Sequence, residues 1–448
     1  MKSEKVNGFT LIELLAVIVI LAIILVIAIP KILNVIEETK KDSLKNTAQL
    51  IADSAEKEKI SNELLEKDEE ITCKRVAKIT DEDYASCKIT FDEEGNAKVS
   101  IIGKGKFDGL AVIDGTKMSS DVIELELPEY GVGKTYIENL YNNEILRKAN
   151  DLKKDNTPDE NIRYYGSNPN NYVRFNNELW RIIGVFGNNV KLVRSEKLGN
   201  LSWDSSASNI NNGNGVNEWS QSDLKNYLNT MYYGGTSVTC YNGKYDQTTT
   251  CPTNRLDETS KSLIDNHTWN TGAIDGTDAT ISNQETFALN TVPFYNAERG
   301  NVTGKICSSG IACNDTVERT TEWTGYIGLP YATDYAYASS ESDCETNMNA
   351  GDNATALSPD EKIANMSCKN NNWMHYGSTS SDKTWYMSSF VYPGNATLVW
   401  HVNGVGRADG ADAANPYSAF PAIYLKSNVL IENGTGTSSD PYILKAGS

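Results

Sequence analysis

An unbroken apolar run near the N-terminus dominates the pattern of hydrophobic and polar positions. Residues 9–29 are Leu, Ile, Val and Ala, except for two residues at the start and one acid, Glu13. As a helix the run would measure about 32 Å, enough to cross the hydrocarbon core of a bilayer. Two lysines precede it, as in a cytoplasmic N-terminus. The run exceeds the apolar core of a secretory signal peptide and lacks a small-residue cleavage site after it. The pattern therefore predicts a single membrane-spanning helix.

The apolar run passes into an amphipathic pattern. Apolar residues recur at helical spacing, with charged residues between them, at Leu44, Ala48, Ile51 and Ala55. We therefore predict one helix from about residue 9 to about residue 65. Pro30 lies inside it, and a proline there removes one hydrogen bond and crowds the preceding turn. A kink is expected at that point.

After the helix the pattern changes to short runs typical of β-strands. The runs "CKITFD" and "AKVSIIG" flank "EEGN", where Gly95 can adopt the positive φ of a hairpin turn. Further turns are expected at Asn176–Asn177 and at 187–189, and Ser220 is the expected N-cap of a later helix. The fold class is α+β: a long bent helix on a small antiparallel sheet, followed by a large β-rich head. The predicted segments are 1–8, 9–29, 30–66, a small sheet domain over 67–128, a polar helix and linker over 129–160, and the head over 161–448.

A carboxylate in an apolar helix is costly and suggests a function. The sequence "GFTLIE", followed by an apolar helix, resembles the prepilin signature of type IV pilins and pseudopilins. The resemblance implies that a prepilin peptidase removes residues 1–8 by cutting between Gly8 and Phe9, and that Phe9 becomes N-methylated. It also implies that Glu13 meets the N-terminal amine of a neighbouring subunit, and pairing makes a buried charge tolerable. Pro30 lies where many pilins have a helix-bending proline. An ordinary membrane anchor is the alternative.

The resemblance carries expectations about function, partners and location. The chain would be a type IV pilin-like subunit, in a minor or tip position, whose extracellular head is adhesive and binds a host or surface ligand. Its partners would be the prepilin peptidase, other pilin subunits, the assembly machinery and the membrane. It would lie in the cytoplasmic membrane before assembly and in a filament or at the cell surface afterwards. A pseudopilin of a secretion or competence system is one alternative, and a membrane-tethered enzyme is another.

Charge and cysteine content add two restrictions. The formal net charge of −18 over 448 residues argues against nucleic acid as a partner. All eight cysteines follow the apolar run, which favours disulfides in an oxidising exterior. Sequence alone does not determine their connectivity. Proximity suggests the pairs Cys73–Cys87, Cys240–Cys251, Cys307–Cys313 and Cys344–Cys368.

Most of the head resembles uncharacterised bacterial surface domains that look like C-type lectins. The matching pieces are a Trp-containing strand at 385–389, a hairpin at 399–405 and a strand at 421–425. Phe420 departs from this pattern, because arginine is more usual before the proline. The calcium and sugar loop of true C-type lectins is missing, so the shape does not imply lectin activity.

Candidate chemistry in the head is sparse, although related lectin-like folds include the formylglycine-generating oxidases. The chain has no G-x-S-x-G, H-E-x-x-H or phosphate-binding loop motif. We therefore expect no enzymatic activity, no metal and no cofactor. The acidic segments at 275–280 and 409–412 are read as polar turns, with calcium binding as the alternative. The three histidines, His267, His375 and His401, are dispersed in the sequence and are interpreted as structural. His375 and His401 could instead face a pocket.

Overall fold

The computed structural model describes residues 11–67, 71–78, 83–92, 94–206, 210–275, 278, 280–283, 288–300, 319–340, 344, 348, 369, 371–377, 379, 381–391 and 396–447. The chain divides into two compact units, Met1–Leu127 and Pro128–Ser448.

A 54-residue helix, α1 (Leu11–Leu64), is the longest element of the first unit. It continues through Pro30, and its kink there stays a prediction. The predicted stripe is buried: Leu44, Ala48, Ile51 and Ala55 have no solvent exposure. Among the residues that the structure describes, no helix is both long and apolar enough to cross a membrane. Most side chains of the predicted span, 9–29, lie outside the described part.

A four-stranded antiparallel sheet covers the buried stripe of α1. A short helix, α2 (Cys73–Ala77), precedes it. The strands follow chain order, β1 (Tyr84–Phe91), β2 (Ala97–Gly103), β3 (Leu110–Gly115) and β4 (Val122–Glu124). Gly95 has φ +85° in the turn between β1 and β2, where the sequence predicts a hairpin. Apolar side chains of β2 and β3 complete the core, because one face of each strand lies against the helix.

The second unit contains short helices and many short strands. Its helices are α3 (Gly133–Asn142), α4 (Glu144–Ala149), α5 (Asp223–Asn226), which continues as a π-helix over Tyr227–Tyr233, α6 (Glu258–Leu263), α7 (Thr291–Glu298) and α8 (Ala332–Tyr337). Its strands are β5 (Gly131–Val132), β6 (Leu152–Lys154), β7 (Ile162–Tyr164), β8 (Tyr172–Phe175), β9 (Glu178–Phe186), β10 (Asn189–Arg194), β11 (Gly199–Leu201), β12 (Cys240–Tyr241), β13 (Thr248–Thr249), β14 (His267–Asn270), β15 (Ile274–Asp275), β16 (Ser282–Asn283), β17 (Ala288–Leu289), β18 (Glu322–Gly325), β19 (Ile327–Gly328), β20 (Lys383–Val391), β21 (Leu398–Asn403), β22 (Ala408–Asp412), β23 (Tyr417–Ala419), β24 (Ala422–Tyr424), β25 (Leu430–Asn433) and β26 (Tyr442–Lys445).

Two larger sheets organise the second unit. The ten-stranded sheet has the order β19-β24-β10-β9-β8-β26-β25-β5, with β7 also paired to β9 and β6 paired to β7. The six-stranded sheet has the order β11-β23-β20-β21-β22, with β15 beside β20. The hairpin between β8 and β9 turns at Asn176 and Asn177, whose φ angles of +53° and +58° agree with the predicted turn.

The segment 129–160, expected as a polar helix and linker, lies within the second unit. Its strand β5 pairs with β25, where Val132 faces Leu430. Ile137 and Leu140 of α3 are buried. The segment is therefore part of the head, because its few apolar residues share one face of the helix and that face packs inward.

The predicted helix cap is also displaced. Ser222, and not Ser220, caps α5, because the Ser222 side chain accepts a hydrogen bond from the N–H of Lys225. Ser220 instead donates to Glu218 through its hydroxyl, at 2.7 Å. It lies in a preceding turn of 3₁₀ helix over Trp219–Gln221. Serine favours the N-cap position of a helix, so the residue type alone does not distinguish Ser220 from Ser222. The 3₁₀ turn before α5 places Ser222, rather than Ser220, at the cap.

Candidate functional site

The N-terminal half of α1 exposes large apolar side chains. The most exposed of them range from 47% to 60% of their full accessible surface and are Leu15, Ile18, Val19, Ile29, Ile32, Leu33, Val35 and Ile36. From Leu44 onward the helix buries its apolar stripe against the sheet of the first unit. Exposed apolar area on this scale marks an interaction surface for lipid or for other protein.

The residues of the predicted processing and assembly site fall, in the sequence, just before α1 or within it. Gly8 and Phe9 precede α1 and lie outside the described residues. Glu13 occupies the first turn of α1, and Pro30 lies further along the same helix. The side chains of both are outside the described part. The roles expected for these four residues therefore stay proposals.

Two of the four expected cysteine pairs are present. Cys73 is joined to Cys87 in the first unit, and Cys240 is joined to Cys251 in the second. Cys344 is also disulfide-bonded, to a partner outside the described residues. The remaining cysteines are outside the described part: Cys307, Cys313 and Cys368. The pairings Cys307–Cys313 and Cys344–Cys368 stay predictions.

The three histidines have different surroundings. His267 lies at the start of β14, where its Nδ1 is 3.0 Å from a carboxylate oxygen of Asp265 and its ring stacks on Tyr424 at 3.7 Å. His375 donates from Nε2 to the carbonyl of Gly404 at 3.1 Å. Burial lowers the pKa of both imidazoles below the ordinary value. Each histidine therefore has a structural contact in its own part of the head.

His401 is the most deeply buried of the three. It lies in the middle of β21 and is only 3% exposed. The rings of Trp385 and Tyr417 lie beside it, and its Nδ1 has no hydrogen-bond partner among the described residues. Burial, assisted by the nearby charges of Lys383 and Arg407, lowers its pKa to about 3. The imidazole is therefore neutral at physiological pH and is packed as a core side chain.

His401→Phe should flatten the pH dependence of the head's stability. The folded pKa of about 3 lies below the ordinary value of 6.5, so only the unfolded chain binds this proton between those values. The wild type should therefore lose stability as the pH falls through this window, by up to about 5 kcal/mol from this residue alone. Urea unfolding at several pH values, followed by tryptophan fluorescence, measures it. All eight tryptophans lie between residues 180 and 400 and report on the head. Parallel pH profiles for the two proteins would contradict the assignment.

The acidic segment at 409–412 differs from the turn expected there, whereas in the other segment the N–H of Asp278 donates to the carbonyl of Asp275 at 3.1 Å, as in a turn. Residues 409–412 lie in β22, which pairs with β21 along its length. Asp412 accepts a hydrogen bond from the hydroxyl of Thr397 at 2.7 Å. The other segment begins at Asp275 in β15, and part of it lies outside the described residues. Over the described positions, no group of three or more His, Cys, Asp or Glu residues is arranged to hold a metal ion.

Four charged side chains form a buried ionic cluster that the sequence analysis missed, made of Asp155, Arg163, Lys191 and Asp334. Their side chains are at most 1% exposed. Arg163 donates from Nε to Asp155 at 2.6 Å and from Nη1 to Asp334 at 2.7 Å. Lys191 donates from Nζ to the other oxygen of Asp334 at 2.6 Å. The cluster connects β7, β10 and α8 inside the head.

Charge balance explains how this cluster stays ionised. Burial alone would raise the pKa of Asp334, but Lys191 and Arg163 hold it below the ordinary value. Burial lowers the pKa of Lys191 to about 8, against the attraction of Asp334. The two acids and two bases compensate one another, which is the condition for burying charge in a protein interior. Lys191 lies on a strand with both faces buried, so the strand pattern offered no signal for its role.

Comparison with known families identifies the N-terminal segment. Residues 5–29 match the model described as the prokaryotic N-terminal methylation motif. The match supports the class that the N-terminal resemblance implies, a type IV pilin-like or pseudopilin precursor. The motif implies processing by prepilin peptidase, anchoring in the membrane before assembly, and assembly with other pilin subunits. No curated protein and no solved structure matches the chain. The lectin-like interpretation of the head therefore stays a prediction.

Proposed function

We propose that this chain is a minor or tip subunit of a type IV pilus-like filament and displays its head for adhesion. The observation that carries the proposal is the methylation motif directly joined to a helix with exposed apolar side chains. Such a helix needs lipid before assembly and neighbouring helices afterwards, because either one removes the apolar surface from water. The same surface therefore serves both states of the subunit.

The size of the second unit supports a minor position. Residues 128–448 form one compact unit, much larger than the part of the first unit that lies beyond its helix. A head of this size on every subunit would crowd a homopolymer whose helices pack closely. At the tip, or at rare positions along the filament, the same head has room and faces its target. Adhesion is the use that we propose for a head presented there.

Processing at Gly8 tests the first step of the proposal. With a prepilin peptidase co-expressed, Phe9 should become the N-terminal residue, with or without a methyl group. Intact-mass analysis and N-terminal peptide mapping measure it. A Gly8→Glu variant should remain unprocessed, and a matched Asn7→Gln variant should be cut normally. Cleavage beyond residue 28 would instead indicate a conventional signal peptide and contradict the proposal.

Subunit stoichiometry separates the filament roles. Sheared surface filaments should contain the chain at a small fraction of the most abundant pilin, measured by quantitative mass spectrometry against labelled standard peptides. Antibodies to the head should mark filament ends or scattered positions. A processed chain that stays with the cell envelope while filaments lack it would favour a pseudopilin. Equal abundance with the most abundant pilin would contradict the minor position.

A further inference from the structure

Lys191 and Asp334 are in direct contact inside the head. The Lys191 Nζ lies 2.6 Å from one oxygen of Asp334, and both side chains have no solvent exposure. The residues are 143 positions apart in sequence, one on β10 and the other on α8. Both are therefore held in place by well-packed elements, which keeps the amine and the carboxyl carbon together.

Aromatic rings surround the Lys191 amine. The Nζ lies 4.0 Å from the centre of the Tyr331 ring and 5.3–5.5 Å from those of Tyr424, Trp269 and Phe186. Such rings exclude water and supply no ionised partner. Burial, with the positive charges of Arg163 and Arg299 nearby, lowers the pKa of this lysine to about 8. A minor fraction of the amine is therefore neutral and nucleophilic near neutral pH.

Both carboxylate oxygens of Asp334 accept further hydrogen bonds. Its Oδ1 accepts a hydrogen bond from Arg163 Nη1 at 2.7 Å, and its Oδ2 accepts one from the backbone N–H of Tyr331 at 2.9 Å. A guanidinium on Oδ1 stabilises the negative charge that develops there when a nucleophile adds to the carboxyl carbon. Asp155 already balances the charge of Arg163. If Lys191 and Asp334 lost their charges together, the remaining pair of Asp155 and Arg163 would still have no net charge.

We propose that Lys191 and Asp334 condense into an intramolecular amide bond in the mature head. A proton passes from the lysine ammonium to the Asp334 carboxylate, which leaves a free amine and a carboxylic acid. The amine then attacks the carboxyl carbon, so that the Nζ–Cγ bond forms and the Cγ–Oδ2 bond breaks. Oδ2 leaves as water with two protons. No oxidant, reductant or second substrate is consumed, and the driving force includes the loss of a buried ion pair.

The bond would have a mechanical consequence. It would covalently join β10 in the ten-stranded sheet to α8, two elements far apart along the chain. A head that is pulled at one end would then resist unfolding of the segment between residues 191 and 334. The inference concerns the chemistry of the head alone and does not depend on where the protein assembles.

Mass spectrometry of the full chain tests the proposal. The protein is purified from its native membrane or filament fraction, denatured, fully reduced and alkylated, and its intact mass is measured. The mass should fall short of the processed sequence by one water molecule. Trypsin should fail to cut after Lys191, and one branched peptide should contain both Lys191 and Asp334. Asp-Gly sequences can also lose water as succinimides, so the branched peptide is the decisive observation.

Two controls make the result specific. The exposed pair Lys148 and Glu144, at 2.8 Å, has a similar distance but is open to water, so it should appear in the same digest as ordinary linear peptides. Lys191→Arg keeps the positive charge without a lysine amine and should show no mass deficit at this site. Separate, unmodified peptides for Lys191 and Asp334 in the wild type would overturn the proposal, whether or not the variant folds.

Discussion

Glu13→Ala should exclude the subunit from filaments while leaving it in the membrane. The variant should insert at least as well as the wild type, because it removes a charge that is costly in lipid. Processing should continue, since the cleavage that we propose takes place at Gly8 and does not involve Glu13. Assembly should fail, because the Phe9 amine of a neighbouring subunit would lose its acidic partner. Removing one member of a buried ion pair typically costs about 3–5 kcal/mol, which is ample to exclude a subunit from an assembly.

The Glu13 experiment compares subunit abundance in sheared filaments with abundance in the membrane fraction. Glu13→Gln is the matched variant, because it keeps the shape and a hydrogen-bonding oxygen without the charge. It should assemble better than Glu13→Ala and less well than the wild type. If Glu13→Ala enters filaments as well as the wild type does, the pairing role is wrong and a simple membrane tether becomes the better interpretation.

Asp334→Ala should destabilise the head by about 3–5 kcal/mol, the typical cost of breaking a buried pair. Asp334 accepts hydrogen bonds from both Lys191 and Arg163 inside the head. Its removal leaves Lys191 without its carboxylate in an aromatic pocket and reduces Arg163 to one acidic partner in the cluster. A deleted amide bond would add to this loss. The free energy of unfolding is measured by urea titration with tryptophan fluorescence, which reports on the head.

Glu144→Ala is the matched control for Asp334. Glu144 pairs with Lys148 on the surface of the same unit, with both side chains 68% exposed. Water screens this pair, so its loss should leave the urea midpoint almost unchanged. Equal midpoint shifts for the two variants would show that burial does not decide the contribution of these pairs, and would remove the basis for the role given to the ionic cluster.

Local signals in the sequence were sufficient where a short stretch of chain determines its own conformation. The helical spacing of Leu44 to Ala55 identified the face that α1 buries. Gly95 and the pair Asn176–Asn177 identified two turns, because few residues accept a positive φ. Two disulfides followed from the proximity of their cysteines. The N-terminal motif was equally local, since its residues fall within a single short segment.

Local signals failed where several equivalent choices existed. Ser220 and Ser222 are both good caps by type, and only the path of the chain selects Ser222. The segment 129–160 has the polar composition of a linker. It is nevertheless part of the head, because its strand β5 pairs with β25. The partner strand β25 lies about 300 residues later in the chain, so this pairing cannot be inferred from the segment itself.

The sequence by itself determined that this protein has a methylation motif joined to a long helix, and it predicted a large β-rich domain after them. These features depend on periodicity and spacing over a few turns of chain. Only the tertiary structure decided that Arg163, Lys191 and Asp334 meet in one buried cluster. The reason is physical. Lys191 lies on a strand with both faces covered, so buried and exposed side chains do not alternate along it. Its partner, Asp334, is 143 residues away in the sequence. Charges this far apart in the chain become neighbours only when the sheet and helix α8 pack together.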